Sequence, residues 1–297
     1  MAGGQERILR RRIKSVQATK KITKAMELIA ASRIVKAMGR INDARPYLTA
    51  MTKVVEDLAA SSGLPKSRYL ADPQPGPRGM LVITSDRGLC GSFNSAPLRM
   101  VEKAVAQPGT QAKIVAVGKK AQSFFRYREI PVEHQVLGVT DRPTYAHAQE
   151  IAQQVLALYD AGEATTVDAF TTRFLSAGSQ RLEVIPILPI DPEKFLSGTH
   201  GQSLDFEIEP SPEELIDPLL RLYVEEMIFA LLLEASASEH AYRQRAMKAA
   251  TENAEELIKK YTRIMNRARQ DAITTEIMEI VGGAEALRAS DNLEELE

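Results

Sequence analysis

Apolar and polar positions over the last quarter of the chain alternate with the period of a helix that packs along a second helix. The apolar positions are Met247, Ala250, Ala254, Leu257, Tyr261, Ile264 and Ala268. Their steps of three and four residues form the a/d seam of a left-handed coiled coil. The other faces are charged, as is typical of a solvated surface. The pattern predicts one long coiled-coil helix from Ser211 to about Arg288.

The first residues of this segment carry a helix start signal. The Ser211 side chain can accept hydrogen bonds from the first free amides of the helix. Pro212 lies in the first turn, where an N–H group would have no acceptor within the helix, and Glu213 and Glu214 lie at the positive end of the helix dipole. No proline follows Pro218 until the end of the predicted helix. At 1.5 Å per residue such a helix would span roughly 100 Å.

A second long helix is predicted over residues 4 to about 60, ending before Gly63. Its apolar stripe begins at Ile22, Met26 and Ile29. It then continues with strict alternation of three and four through Ala37, Ile41, Ala44, Leu48, Met51, Val55 and Leu58. Pro46 lies inside this run, and an interior proline costs about 3 kcal/mol or kinks the helix. Because the stripe keeps its phase across Pro46, we expect a bend near residues 42–46 and no end there.

The middle of the chain alternates short β-rich runs with helical ones. Strands are predicted at 79–85, 113–118, 132–137, 166–175, 182–187 and 203–209, and helices from Pro97 to Ala106, at 119–127 and at 143–159. This order predicts a parallel or mixed sheet with helices on its faces. The expected fold is therefore mixed α+β and α/β: a Rossmann-like domain (76–209) inserted between a helix at 1–62 and a helix at 211–288, which return and wind antiparallel about each other.

Composition excludes several classes of protein. The chain has 297 residues, 26% of them charged and 44% hydrophobic, with a net charge of −1, so no overall charge draws it to nucleic acid or an anionic membrane. Cys90 is the only cysteine, which excludes an intrachain disulfide. The longest apolar run, Met227 to Leu233, is far shorter than the roughly 20 residues of a membrane helix.

Two surfaces suggest other functions. The turn Ser85 to Ser92 follows a strand and precedes a helix, the place where nucleotide-binding sheets hold phosphate, but Gly88 and Gly91 fit neither common glycine pattern. A tight structural turn is favoured, and a nucleotide-binding enzyme is the alternative. The first helix is strongly basic from Arg7 to Arg40, which suits either an acidic protein or nucleic acid. No aromatic residue precedes Tyr47, which weighs against base stacking.

No catalytic or metal-binding constellation is found in the sequence. The four histidines have no ligand spacing, and the adjacent glutamates Glu225–Glu226 and Glu255–Glu256 point to different helical faces. We therefore expect no catalytic residue, no metal and no cofactor. The apolar end of the last helix, Ile277 to Val281, lies beyond what a two-helix seam needs. It is either ordinary coiled-coil core or a tip buried in another protein.

Several segments together resemble the γ subunit of bacterial F-type ATP synthases, the central rotor shaft. They are Lys21 to Met26 with Ala30 to Arg33, Ser85 to Gly91, Ala235 to Ala241, Met247 to Thr251, Asn266 to Gln270 and Ile277 to Ala284. The resemblance spans both long helices and the first strand, whereas residues 160 to 205 match no family motif. It implies a non-catalytic subunit that transmits rotation of the membrane ion-driven ring to the catalytic subunits. Proton transport is thereby coupled to ATP synthesis or hydrolysis, and ATPase activity is regulated.

The resemblance also implies partners and contact residues. The expected partners are the α and β subunits, the ε subunit and the membrane c-ring, with one copy of this chain per complex and no nucleic acid. The expected location is peripheral, at the cytoplasmic face of the cell membrane. The positions that match family contacts with the catalytic subunits are Lys24, Met26, Arg243, Arg269, Gln270 and Thr274. Ile277, Ile280 and Val281 are expected to form a bearing tip.

Overall fold

The computed structural model describes residues 2–62, 64–196, 209 and 211–294, and the side chains of residues 5–59, 64–196, 209 and 211–285. Within these ranges the order of elements is α1 (Ala2–Ser62), β1 (Arg78–Ile83), α2 (Ser95–Val105), β2 (Ala112–Val117), α3 (Lys119–Tyr127), β3 (His134–Val136), α4 (Tyr145–Asp160), β4 (Thr166–Phe174), β5 (Gln180–Leu188), α5 (Glu193–Leu196) and α6 (Pro212–Glu294). Residues 203–208 of the strand predicted at 203–209 lie outside the described residues.

The five strands form one mixed sheet in the order β3-β2-β1-β4-β5. The first four are parallel, and β5 is antiparallel to β4. Side chains alternate between the two faces of each strand. Leu81 and Ile83 of β1 therefore lie in one buried cluster with α4, α1 and α6, while Met80 and Val82 lie in a second cluster with α2 and α3. The inserted α/β fold predicted from the alternating strands and helices is confirmed.

Both terminal helices are present as predicted. The Ser211 hydroxyl accepts a hydrogen bond from the Glu214 amide at 3.3 Å, so the predicted cap begins α6, which continues through Gly282 and Gly283. Helix α1 continues through Pro46, so the expectation that the helix does not end there is confirmed. The bend at residues 42–46 stays a prediction.

The chain divides into two compact units, one of residues 1–27 and 247–297 and the other of residues 28–246. In the first unit, α1 and α6 run antiparallel, because the hydroxyls of Thr23 and Thr251 lie 2.8 Å apart and Lys20 pairs with Glu255 at 3.2 Å. In the second unit, both helices contribute to the core beneath the sheet. The three-segment division at 1–62, 76–209 and 211–288 remains a proposal.

The predicted seam of α1 is correct from Ala37 to Leu58 but wrong near the N-terminus. Ile22 and Ile29 are 61% and 55% exposed. The inward positions are instead Leu9, Ile13, Val16, Lys20, Thr23, Glu27, Ala30, Ile34 and Ala37, which are buried or partly buried. Their steps of four and three continue the phase of the later stripe without a break. Lys20, Thr23 and Glu27 occupy three of these positions, so a stripe of apolar residues does not reveal this part of the seam.

The seam predicted in α6 is displaced by one residue at alternate positions. Leu257 and Ile264 are exposed, whereas the neighbouring Ile258 and Met265 are partly buried. Thr251 is buried where Ala250 was expected to form the core position. Because Thr251 can bond both the Met247 carbonyl and Thr23, its hydroxyl is satisfied inside the seam.

Gly118 fixes the crossing from β2 into α3. It has φ +93°, and a Cβ there would overlap the carbonyl of Thr84. This region of backbone space is almost restricted to glycine. Because of this close approach, the Thr84 hydroxyl accepts a hydrogen bond from the Ala121 amide at 2.9 Å.

We expect Gly118→Ala to lower the free energy of unfolding by about 3 kcal/mol, since backbone strain and steric overlap add. Gly109→Ala is the matched control, because Gly109 also has a positive φ (+81°) but has open space around its Cα. The control should lose only about 1 kcal/mol. Urea unfolding of the full chain measures both, and equal losses would contradict the role given to the Thr84 contact.

Candidate functional site

Five of the six predicted contact residues lie in the first compact unit and are accessible to a partner. Lys24, Arg269, Gln270 and Thr274 are exposed, and Met26 is partly buried. Lys24 forms an ion pair with Glu27 on its own helix, with Nζ–Oε distances of 3.1 Å. Lys24 is the exposed member of this pair, whereas the Glu27 side chain is only 13% exposed.

The predicted bearing residues form an exposed apolar surface near the end of α6. Ile277, Ile280 and Val281 are 55%, 67% and 52% exposed. Ile273 and Met278 beside them are exposed as well. Ala272 is the last position of the α6 seam that is even partly buried among the described side chains. Contiguous exposed apolar surface of this kind marks an interaction site.

Arg243 differs from the other predicted contacts because it is buried, only 8% exposed. One of its Nη atoms donates to Glu239 Oε1 at 2.6 Å and to the Gly88 carbonyl at 3.3 Å. The other lies 3.4 Å from Nδ1 of His240. Arg243 thus joins α6 to the turn after β1. Its contact with a catalytic subunit stays a prediction.

Glu239 and His240 belong to the same cluster, which we call the α6 clamp: Arg33, Asp141, Glu239, His240 and Arg243. The last three are buried, and Arg33 and Asp141 are half-buried. Burial raises the pKa of Glu239, and the Arg243 charge opposes that rise. Burial and Arg243 together lower the pKa of His240 to about 4. Arg33 of α1 forms an ion pair with Asp141, whose Oδ1 lies 3.9 Å from Nε2 of His240. The sequence offered one signal for this cluster, the i,i+4 spacing of Glu239 and Arg243.

The turn after β1 is closed by its own hydrogen bonds. The Asp86 carboxylate accepts from the amides of Lys119 (3.1 Å), Gly138 (2.9 Å) and Thr140 (3.2 Å). Burial alone would raise the pKa of Asp86, but these hydrogen bonds outweigh it and hold the pKa below its usual value. Asn94 accepts from the Ser85 amide at 2.8 Å. The Lys119 amide at the start of α3 is thus occupied by the Asp86 carboxylate.

Cys90 packs inside this turn. It is buried, and its Sγ lies 3.1 Å from Nδ2 of Asn94. Burial raises the pKa of the thiol, which keeps it protonated. These surroundings are those of a core cysteine.

Two general features of the described residues bear on the site. Within the part of the chain that the structure describes, no three metal-ligating side chains cluster as a cation site would require. No helix among those residues has both the length and the apolar character needed to span a membrane.

Comparison with known proteins decides the family. A family model described as ATP synthase matches residues 5–287. The ATP synthase gamma chain of Parafrankia sp. (strain EAN1pec) is 44% identical over 292 residues, 96% of this chain and 98% of that relative. The ATP synthase gamma chain of Arthrobacter sp. (strain FB24) is 42% identical over 296 residues, 97% of this chain and 100% of that relative. This chain belongs to the ATP synthase gamma chain family.

Solved structures agree with this assignment. A chain in the central stalk and c-ring structure of the Tetrahymena thermophila mitochondrial ATP synthase is 25% identical, with a TM-score of 0.59 over 77% of this chain and 99% of that one. A chain of the Euglena gracilis mitochondrial ATP synthase has a TM-score of 0.68 at 20% identity, over 97% of this chain and 96% of that one. The second likeness shows the fold alone. The predicted fold of a gamma chain is thereby confirmed.

We expect Arg243→Met to lower the free energy of unfolding by about 3–5 kcal/mol, because Glu239 would be left buried without its counter-charge. Adding Glu239→Gln should recover part of the loss by removing the charge. Arg245→Met is the control, since this nearby arginine is exposed, and it should cost less than about 1 kcal/mol. Denaturant unfolding of the full chain measures all three. A loss in Arg243→Met no larger than in Arg245→Met would rule out a stabilising clamp.

His240 should make stability depend on pH. Its pKa of about 4 in the folded chain lies below the ordinary 6.5, so the unfolded chain takes up the proton first. The contribution of the neutral His240 to the free energy of unfolding is fully present above pH 6.5 and falls as the pH drops toward 4. Between pH 7.5 and 5 we expect a loss of about 2 kcal/mol from this group. His240→Gln should abolish that part of the slope and His134→Gln, at the sheet edge, should not. An unchanged slope in His240→Gln would contradict the assignment.

Proposed function

We propose that this chain is the central-stalk rotor subunit of an F-type ATP synthase. It transmits rotation of the membrane ion-driven ring to the catalytic subunits, couples proton transport to ATP synthesis or hydrolysis, and regulates ATPase activity. The observation that carries the proposal is the match to ATP synthase gamma chains over nearly the whole chain. The chain itself is non-catalytic in this role, and nucleotide chemistry belongs to its partners.

The proposed partners are the α and β subunits around the coiled coil, and the ε subunit and the c-ring at the membrane. One copy serves each complex, at the cytoplasmic face of the cell membrane and without crossing it. The basic side chains of the first unit favour acidic loops of the catalytic subunits, because charge complementarity gives specificity and a fast approach. Arg7 and Arg11 are exposed and available for that purpose, whereas Arg10 is exposed but pairs with Glu6 at 2.7 Å.

In this proposal, rotation is coupled to nucleotide chemistry because the chain contacts each catalytic pair differently. A single chain inside a ring of three catalytic pairs cannot match the ring's symmetry, so it contacts each pair differently. A partner can shift a conformational equilibrium only by its difference in affinity for the two states. Rotation then carries each catalytic site through the different states in turn. Contacts that must break at every step are best made by exposed charges of low individual energy, such as Lys24 and Arg269.

The apolar end of α6 has a different role. Ile277, Ile280 and Val281 form the bearing tip, held in an apolar sleeve of the catalytic ring. Apolar contact is non-directional, so it permits rotation without a fixed set of hydrogen bonds to break. The exposure of these three side chains supports the assignment.

The contact residues can be tested in the assembled ATP synthase. We expect the triple variant Arg269→Ala/Gln270→Ala/Thr274→Ala to reduce coupled ATP synthesis on the order of tenfold, because three weak contacts are lost together. The stability of the full chain should not change, since all three side chains are exposed.

The matched control is Lys260→Ala/Arg263→Ala/Asn266→Ala, three exposed residues of the same helix outside the predicted contacts. ATP synthesis in inverted vesicles and unfolding of the isolated chain are measured for both triples. Equal activity of the two triples would refute the assigned contacts. Assembly and full coupled synthesis by the α and β subunits without this chain would refute the rotor function itself.

A further inference from the structure

The last part of α6 is a helix that has no neighbouring helix among the described residues of its own chain. The antiparallel pairing that places Thr23 beside Thr251 ends where α1 begins, and Ala272 is the last seam residue of α6 that is even partly buried. Every described residue from 273 to 285 is exposed. Most helical stability in proteins comes from packing against a neighbour. The segment from residue 273 to Glu294 is therefore expected to gain its stability from contacts outside the chain.

Two adjacent glycines lie inside this segment. Gly282 and Gly283 are both part of α6, and both are exposed. A glycine in a helix interior lowers the helix population about fivefold relative to alanine. Gly118 is required because a Cβ there would strike Thr84, but among the described residues a Cβ at Gly282 or Gly283 would meet nothing within 4 Å. No contact in the described part of the chain thus requires glycine at these two positions.

The two glycines lie on the side of the helix that faces away from its large apolar residues. Ile273, Ile277 and Ile280 are spaced by four and three residues, so they share one face. At about 3.6 residues per turn, Gly282 lies roughly opposite this face, and Gly283 follows one step further round. A helix with its side chains is about 10–12 Å across, but on the glycine side it ends at the backbone. This segment is therefore broad on one side and bare on the other.

We propose that Gly282 and Gly283 form a second contact of the bearing tip, at which apolar residues of the catalytic ring's sleeve approach the α6 backbone directly. The inference rests on the rotor function proposed above. Glycine permits a close approach to the backbone that any side chain would prevent. The N–H groups of a helix interior are already bonded within the helix, so this strip offers only weak Cα–H donors. A partner therefore gains nothing from polar groups here, and the contact can slide as the rotor turns.

The full chain alone tests whether the glycines are free of contacts within the chain. Gly282→Ala and Gly283→Ala should each slow amide hydrogen exchange in residues 277–287 about fivefold, because alanine favours the helix and has open space around it. Gly39→Ala is the matched control, since Gly39 is an exposed interior residue of α1 with equally open surroundings. It should slow exchange around residue 39 by a similar factor. Exchange at the tip that is not slowed would overturn the proposal, because the methyl group would then disturb the chain itself.

The assembled ATP synthase tests the contact, and there the effect should have the opposite sign. Gly282→Ala/Gly283→Ala should lower coupled ATP synthesis in inverted vesicles on the order of tenfold, because the added methyl groups overpack the sleeve. Gly39→Ala should leave synthesis unchanged. Native synthesis in the double variant would overturn the proposal. So would an equal loss in Gly39→Ala, since alanine in place of a helical glycine would then be harmful anywhere.

A double-mutant cycle separates close contact from flexibility of the tip. Ala284→Gly restores a second glycine to the tip, but on the face of Ile277, seven residues earlier. If close contact is the cause, Gly282→Ala lowers synthesis by the same factor whether residue 284 is alanine or glycine. If that loss disappears when Gly282→Ala/Ala284→Gly is compared with Ala284→Gly, the proposal is wrong. The glycine pair would then serve to make the helix flexible.

Failure of this proposal and failure of the rotor function give different results. If the rotor function is wrong, neither the glycine variants nor Arg269→Ala/Gln270→Ala/Thr274→Ala will change coupled synthesis. If only the glycine contact is wrong, that triple variant will still lower synthesis, whereas the glycine variants will not.

Discussion

Glu239 and Arg243 form an ion pair within α6, and Arg243 also donates to the Gly88 carbonyl in the turn after β1, a bond on which the position of α6 against the sheet depends. Both residues are buried, and a buried charge is tolerated only when its partner holds the correct geometry. Arg243 donates one hydrogen bond to Glu239 on its own helix and one to the Gly88 carbonyl. Because Glu239 and Arg243 belong to the same helix, their ion pair moves with α6, and rotation or sliding of the helix would break the directional bond from Arg243 to the Gly88 carbonyl. Apolar packing alone would allow such movement at lower cost, because it has no direction.

The other polar contacts of the second unit extend this constraint. Ser238 donates to the Thr172 carbonyl at 3.1 Å, and Ser236 donates to the Asp141 carbonyl at 3.3 Å. Asp141 in turn binds Arg33, so α1 and α6 are attached to the same loop. A force applied to the α/β domain is thus passed to both helices through directional bonds.

Periodicity predicted the elements well, but it missed the inward positions that polar residues occupy in α1, and in α6 it assigned Leu257 and Ile264 to the seam where their apolar neighbours Ile258 and Met265 face inward. The alternation of strands and helices predicted the sheet, because buried parallel strands read as short apolar runs. The stripe from Ala37 to Leu58 was found because every inward residue there is apolar. Lys20, Thr23 and Glu27 face inward nearer the N-terminus, and no count of apolar residues can locate them. The Glu239–Arg243 pair was missed because a charged i,i+4 pair usually lies on a solvated face.

Burial separates two kinds of charge on α6 that sequence alone does not distinguish. Arg243 and Arg269 both match positions expected to contact the catalytic subunits, yet Arg243 is buried beside Glu239 and Arg269 is exposed. A buried pair is costly to break, so Arg243 suits a permanent joint within the chain. An exposed arginine exchanges partners at low cost, so Arg269 suits a contact renewed at each step of rotation. A rotor needs both kinds, because the contacts within the chain must persist while the contacts with its partners break and re-form.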